Sequence, residues 1–302
     1  MIRSKLDAVP DGACDCHTHV FADAGAFPFS PQRTYTPGLA DVGMLARHLR
    51  DTGLARVVVV QPSVYGVDNR ALLHAIATLG SDVARGVAAI DLVDTPDAEL
   101  DRLAAGGVRG VRLNFETDRT PAPEAGRLLR AAARRLEGRD WHLQVHAGLA
   151  LSAALSPVFP ALGLPVVLDH YGGTHASTPL GHPDFAALLA AVRSGAVYVK
   201  LSAGHLCGVF DDGFERLQPL ARALIAANPD RLVWGSDWPH PDPGAAPAGS
   251  PEPSPLRQVD DRAALAMLAA CVPDAQTLEK ILVSNPARLY GFEFVQPKRS
   301  TP

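Results

Sequence analysis

The chain has 302 residues, 47% of them hydrophobic and 20% charged, with a formal net charge of -4. It lacks the basic stretch that phosphate binding needs, which argues against nucleic acid as a partner. No apolar run reaches the ~20 residues needed to span a bilayer, and positions 1–11 carry charges with no apolar core, unlike a signal peptide.

In chain order, short apolar or β-branched runs alternate with longer amphipathic ones. The first strand is expected over 14–21, which contains Cys14-Asp-Cys-His-Thr-His19. Residues two apart on a strand share a face, so His17 and His19 leave it together. An isolated pair of this kind is also compatible with one hydrogen-bonded core histidine and one exposed histidine. Further strands are expected over 56–61, 86–92, 107–114, 141–146, 165–170, 197–202 and 232–236. Several read as continuous apolar segments, such as Val57-Val-Val-Val60. Such runs mark strands covered on both faces, as in parallel sheets. Helical patterns fall between them at 39–52, 70–79, 97–105, 125–136, 152–162, 183–193, 214–227 and 262–270. More helix follows at 277–283 and 286–290. Gly53 and Gly106-Gly107 supply stops, and Pro183 opens a first turn. Eight βα units with no break in composition predict an α/β fold, a single (β/α)8 TIM barrel. It forms one domain over 1–302, with a core of about 12–292 and short tails. Two long loops, 22–38 and 239–255, follow the first and last strands and are expected to wall the mouth. Cys14, Cys16, Cys207 and Cys271 are too few for a disulfide framework and fit reduced thiols in a cytoplasmic compartment.

Barrel active sites form at the C-terminal ends of strands. His17 and His19 stand there on the first strand, and Gln61, Ser63, Tyr65 and Asn69 at or after the second. The fourth offers Arg112 and Asn114, with Arg119 beyond. His146 ends the fifth, Asp169-His170 the sixth, and Lys200 and Ser202 the seventh. The eighth runs into Gly235-Ser-Asp-Trp-Pro-His240. Four histidines and an aspartate ending different strands are hard to explain as isolated structural residues. Alternation turns Asp169 to the opposite face from His170, which suits a buried structural acid as well as a catalytic one. The same rule points Cys16 away from His17 and disfavours it as a nucleophile.

His17-Thr-His19, His146, His170 and Asp237 resemble the amidohydrolase superfamily. Within it the chain is similar to the 2-pyrone-4,6-dicarboxylate lactonase-like branch. The segments carrying the likeness are Gln61-Pro-Ser-Val-Tyr-Gly-Val-Asp-Asn69, Gly107-Val-Arg-Gly-Val-Arg-Leu-Asn114, Val199-Lys-Leu-Ser202, Trp234-Gly-Ser-Asp-Trp-Pro-His240 and Asn285-Pro-Ala-Arg-Leu-Tyr290. The chain departs from the branch in two places. Tyr171-Gly172-Gly173 stands where Gly-Arg follows the sixth-strand histidine, and Ala203-Gly204-His205 stands where a further Arg follows Lys-Leu-Ser. Both changes remove cations and favour a substrate with one carboxylate or none.

The resemblance implies a hydrolase that opens a sugar-acid or carboxylated lactone with activated water. Asp237 would be general base and His170 the oxyanion or leaving-group partner, with His17 and His19 completing the catalytic set. Arg112, Tyr35, Ser63, Asn114, Arg119 and Tyr65 would hold the substrate. At most one divalent metal, Zn²⁺ or Mn²⁺, would be bound by His17, His19, His146 and Asp237. Arg112 occupies the fourth-strand region and cannot become the carbamate that bridges two metals. The same residues also resemble metal-dependent decarboxylases and would serve a lactone isomerase. His205 and His240 lie just past strand ends without an assigned role. The expected partner is a small molecule, with the protein a monomer or homodimer.

Overall fold

A computed structural model describes residues 9–209, 213–245 and 250–293. Eight parallel strands follow one another around the sheet: β1 (Cys14–Thr18), β2 (Arg56–Val60), β3 (Ala84–Ala88), β4 (Val108–Asn114), β5 (His142–His146), β6 (Val166–Leu168), β7 (Val197–Ser202) and β8 (Leu232–Gly235). The backbone closes from β8 to β1 just past the strand ends. Asp237 donates its N–H to the His17 carbonyl at 2.8 Å, and His19 to the Trp238 carbonyl at 2.8 Å. The (β/α)8 barrel is therefore the observed fold.

The principal helices between and after the strands are α1 (Val42–Thr52), α2 (Arg70–Leu79), α3 (Asp97–Ala105), α4 (Ala122–Arg135), α5 (Leu149–Leu155), α6 (Pro183–Arg193), α7 (Gln218–Ala227), α8 (Asp261–Cys271), α9 (Ala275–Glu279) and α10 (Asn285–Tyr290). Their ends follow local chemistry. Asp41 caps α1 by accepting from the Met44 N–H at 2.9 Å, and Gly53 ends it in the left-handed region. No helix among the described residues is long and apolar enough to cross a membrane.

Continuous apolarity along a strand serves two cores. Val57 and Val59 pack outward with Leu45, Leu72 and other helix residues. Val58, Val60, Val87, Val167 and Val233 fill the lower interior with Cys14 and Cys16, against Tyr290 and Phe292 from the C-terminal end. Full burial of such side chains contributes about 1.5–3 kcal/mol each. The interior positions towards the strand ends then change from apolar to polar.

Three expectations are corrected. The third strand spans Ala84–Ala88 rather than 86–92, and Asp91 onward turns on the surface. The first strand ends at Thr18, and its register against β2 shifts between Asp15 and Thr18. Alternation therefore fails there: Cys16 joins the interior apolar cluster, and His17 also reaches the interior. The sixth strand stops at Leu168, because His170 and Tyr171 are left-handed with φ of 50° and 55°.

The two long loops meet over the mouth. Thr36–Pro37 pairs in parallel with Pro253–Ser254, and Thr36 Oγ1 donates to the Ser250 carbonyl at 2.7 Å. Positions 246–249 of the second loop lie outside the described residues.

Candidate active site

The cup at the strand ends is built around Asp237. This residue follows β8 with φ of 70°, a region costly to a residue with a Cβ and frequent at functional sites. The turn carries its carboxylate inward. Oδ1 lies 3.4 Å from His17 Nε2 and 3.4 Å from His19 Nε2. Oδ2 lies 3.2 Å from His205 Nε2. Burial alone pushes the carboxyl up, but His170, His19, His205 and His17 outweigh it and hold Asp237 well below the ordinary carboxylate range.

The strands approach closely at this seam. A Cβ on Gly235 would lie 2.7 Å from His17 Cβ and 2.8 Å from His17 N. Only glycine lets β8 come near enough for Asp237 to reach both histidines.

His17 is fully buried. Burial, with the Lys200 ammonium beside it, pushes its imidazole down to about 4, so it is neutral at neutral pH. Its Nδ1 is 3.2 Å from both Asp169 Oδ1 and Lys200 Nζ. Its Nε2 is buried with no hydrogen-bond partner among the described residues. His19 is fixed from behind, with Nδ1 2.8 Å from the Val60 carbonyl oxygen.

Beneath the histidines lies a buried polar layer. Asp169 Oδ2 accepts from Arg112 Nε at 3.0 Å and from Gln144 Nε2 at 3.1 Å. Lys200 donates to Gln144 Oε1 at 2.7 Å and lies 3.5 Å from Asp169 Oδ1. Burial raises the Asp169 carboxyl, but His17, Lys200 and Arg112 outweigh it and hold it well below the usual range. Asp169 is in phase with interior Val167, whereas alternation would turn His170 outward. The left-handed backbone at His170 turns that ring back inward, 4.7 Å from the His17 ring centroid. Its Nδ1 is 3.0 Å from Ser202 Oγ, and burial holds the imidazole well below its ordinary value.

The other expected residues divide by placement. Tyr35 is buried, and its phenol is raised by burial and by the Asp237 carboxylate, with Arg112 opposing. Asn114 ends β4, half-buried at the mouth. His146 ends β5, its ring edge-on to His170 at 5.0 Å; burial and the Arg112 charge hold it at about 3. Tyr65 is turned to a structural contact, its hydroxyl accepting from Ala22 N at 2.9 Å. Ser63 lies exposed in a short helical turn, and Arg119 is exposed beyond β4.

Residues 144, 200 and 205 carry contacts that the sequence left without a role. Gln144 and Lys200 could have been found by phase. Each lies two residues before an interior strand-end polar residue, His146 or Ser202, and so shares its strand face. His205 gives no such signal, because the left-handed Ala203 sets its direction.

Among the described residues, those that bring ligand atoms together within 4.8 Å are His17, His170 and Asp237, all buried. The unpartnered His17 Nε2 facing Asp237 Oδ1 suits a cation or a proton donor between them. The donor set therefore fits one divalent ion. His19 stands at its edge through Asp237, and His146 stands behind His170.

The amidohydrolase family model matches residues 14–292. The chain is 35% identical over 301 residues to 2-pyrone-4,6-dicarboxylate hydrolase of Comamonas testosteroni, covering 95% of this chain and 92% of that protein. It is 31% identical over 288 residues to 4-sulfomuconolactone hydrolase of Rhizobium radiobacter, covering 94% and 91%. A crystal structure from Pseudomonas putida, provisionally named a 2-pyrone-4,6-dicarboxylic acid hydrolase, superposes with a TM-score of 0.77 at 32% identity, covering 94% of this chain and 99% of that one. With the family match running from β1 to the C-terminal end of the barrel, this chain belongs to the amidohydrolase family.

Proposed function

We propose that this protein is a lactone hydrolase that opens a carboxylated lactone ring with water activated by Asp237. The observation that carries the reading is the buried Asp237 carboxylate facing the His17 and His19 imidazoles at 3.4 Å each. The relatives named above act on a pyrone dicarboxylate and a muconolactone, which are both lactones.

Asp237 is ionised at neutral pH and accepts a proton from water as the water oxygen bonds to the lactone carbonyl carbon. His170 is neutral, and an N–H on Nε2 stabilises the oxyanion that forms. The Ser202 hydroxyl at Nδ1 can donate or accept, so it supports this tautomer and the alternative one. The ring C–O bond then breaks, and the proton held by Asp237 passes to the departing oxygen. The products are a hydroxyl and a carboxylic acid on one open chain, and the acid then gives its proton to solvent at neutral pH.

Arg112 has its Nε committed to Asp169 and offers its outer N–H groups to one substrate carboxylate. Tyr35 remains protonated and donates from the loop above. Asn114 is the further substrate contact on β4, with Ser63 and Arg119 at the outer rim and Tyr65 holding the loop. A divalent ion held by His17, His170 and Asp237, bordered by His19 and His146, would polarise the carbonyl in place of the His170 N–H and acidify bound water.

The test is product analysis on a panel of carboxylated lactones. The expected product has gained one water, with one acid released per turnover. Release of CO₂, or an isomer of unchanged mass, would replace hydrolysis by decarboxylation or acyl migration. Asp237→Asn should lower turnover about 1,000-fold or more with the fold retained; near-parent turnover would remove Asp237 as the base.

A further inference from the structure

Asp15 lies two residues before His17 and is fully buried. It faces away from the cup, towards α1. Its Oδ1 accepts from the backbone N–H of His17 at 3.1 Å and of Ser236 at 2.9 Å. Its Oδ2 accepts from Ser236 Oγ at 2.6 Å and lies 3.1 Å from His48 Nε2 on α1. One carboxylate therefore ties β1 to the residue after β8, at the seam where the barrel closes. On one side the tie is to His17 itself; on the other it is to the residue preceding Asp237. Ser236 Oγ in turn accepts from the Trp238 N–H at 2.9 Å, so both neighbours of Asp237 are held.

A second path reaches the Asp237 side chain from the same place. His48 Nδ1 is 3.6 Å from Asp261 Oδ2, and that oxygen is 3.1 Å from His240 Nε2. The His240 ring packs edge-on against His205 at 5.4 Å, and His205 Nε2 meets Asp237 Oδ2 at 3.2 Å. Burial works against a charge on His48, but Asp15 and Asp261 outweigh it and raise its pKa. An imidazolium there would donate from Nε2 to Asp15 and attract Asp261 across 3.6 Å.

We infer that Asp15, with His48 behind it, is a positioning residue that holds Asp237 in its left-handed turn and aims its carboxylate at the His17/His19 pair. Asp237 has a backbone conformation that a residue with a Cβ leaves when its supports are removed. The fixed contacts of Ser236 and His17 supply that support. None of the four Asp15 contacts involves a group that faces the substrate cup, so its removal should act on turnover and leave substrate affinity alone.

The inference rests on Asp237 being the base, and the experiment separates the two ideas. Turnover of a lactone substrate is compared in the parent, Asp237→Asn, Asp15→Asn and His48→Gln. Val192→Ala, a buried truncation on α6, is the control for lost stability. Asp15→Asn is expected to lower kcat about 100-fold with KM within about twofold, the scale for a misplaced catalytic group. Val192→Ala keeps kcat per folded molecule. In an Asp237→Asn background, adding Asp15→Asn costs no further turnover, because the two act as a unit. Should Asp15→Asn fail to fold, His48→Gln takes its place, with kcat expected about tenfold lower and KM unchanged. A folded Asp15→Asn or His48→Gln enzyme with kcat near the parent's, beside an inactive Asp237→Asn, overturns the positioning role and leaves the base assigned. A near-normal Asp237→Asn enzyme overturns the base assignment and the positioning role together.

Discussion

Arg112 donates its Nε–H to Asp169 Oδ2 at 3.0 Å, and the other oxygen of that carboxylate is 3.2 Å from His17 Nδ1. The proposed substrate anchor and His17 thus share one buried acid. Arg112→Met should raise KM for a carboxylated lactone at least about tenfold, since an anchored charge-assisted pair is lost. It should also destabilise the fold by about 3 kcal/mol, because Asp169 loses one of its buried partners. Steady-state kinetics and urea unfolding measure the two effects. An unchanged KM would mean that Arg112 serves Asp169 alone.

Stability should fall as pH drops from about 6.5 to about 4. His17 is pushed down to about 4, and His142 and His146 to about 3, chiefly by burial. In that window the unfolded chain binds protons that the folded chain refuses, so acid favours unfolding. His17 alone contributes about 3 kcal/mol to the fall, at 1.36 kcal/mol per pKa unit. Asp169 and Asp237 are held low, so their contribution is lost at still lower pH. His48 has the opposite sign: its pKa is raised, and its contribution is lost as pH climbs through that raised value. Urea midpoints taken at successive pH values should trace this slope; a flat line between pH 4 and 6.5 would contradict the buried neutral histidines.

Metal binding should saturate at one equivalent or fewer. The ligand atoms of His17, His170 and Asp237 make one cluster, and β4 offers Arg112 where a bridging lysine would stand. Elemental analysis of purified protein and calorimetric titration with Zn²⁺ or Mn²⁺ both count the sites. His170→Ala should weaken any binding about tenfold or more, as expected for a lost ligand. Two equivalents of tightly held metal would rule out this donor set.

Gly235→Ala should disturb the seam even though it adds only one methyl group. That methyl would fall 2.7 Å from His17 Cβ and 2.8 Å from His17 N. Separating the strands to admit it should cost about 2 kcal/mol and reduce turnover. Thermal melts paired with kinetics report both; an unaltered enzyme would mean the strands part freely.

The sequence by itself determined the barrel and its polar rim. Runs such as Val57-Val-Val-Val60 must be covered on both faces, and eight of them separated by amphipathic helices leave few other architectures. The polar residues at strand ends were legible because the same strands are apolar lower down. Tertiary structure alone decided how those side chains are shared. Asp169 became the hub for Arg112, Gln144, Lys200 and His17, from four other strands, and His205 became a partner of Asp237. Period-two reasoning can turn Gln144, Lys200 and Asp169 inward, but it cannot reach the contacts of His170, His205 and Asp237. The backbone leaves the strand at His170, Ala203 and Asp237, where φ is positive, and β1 shifts register after Asp15. Side-chain direction at such points is fixed by barrel closure, which joins residues more than two hundred positions apart.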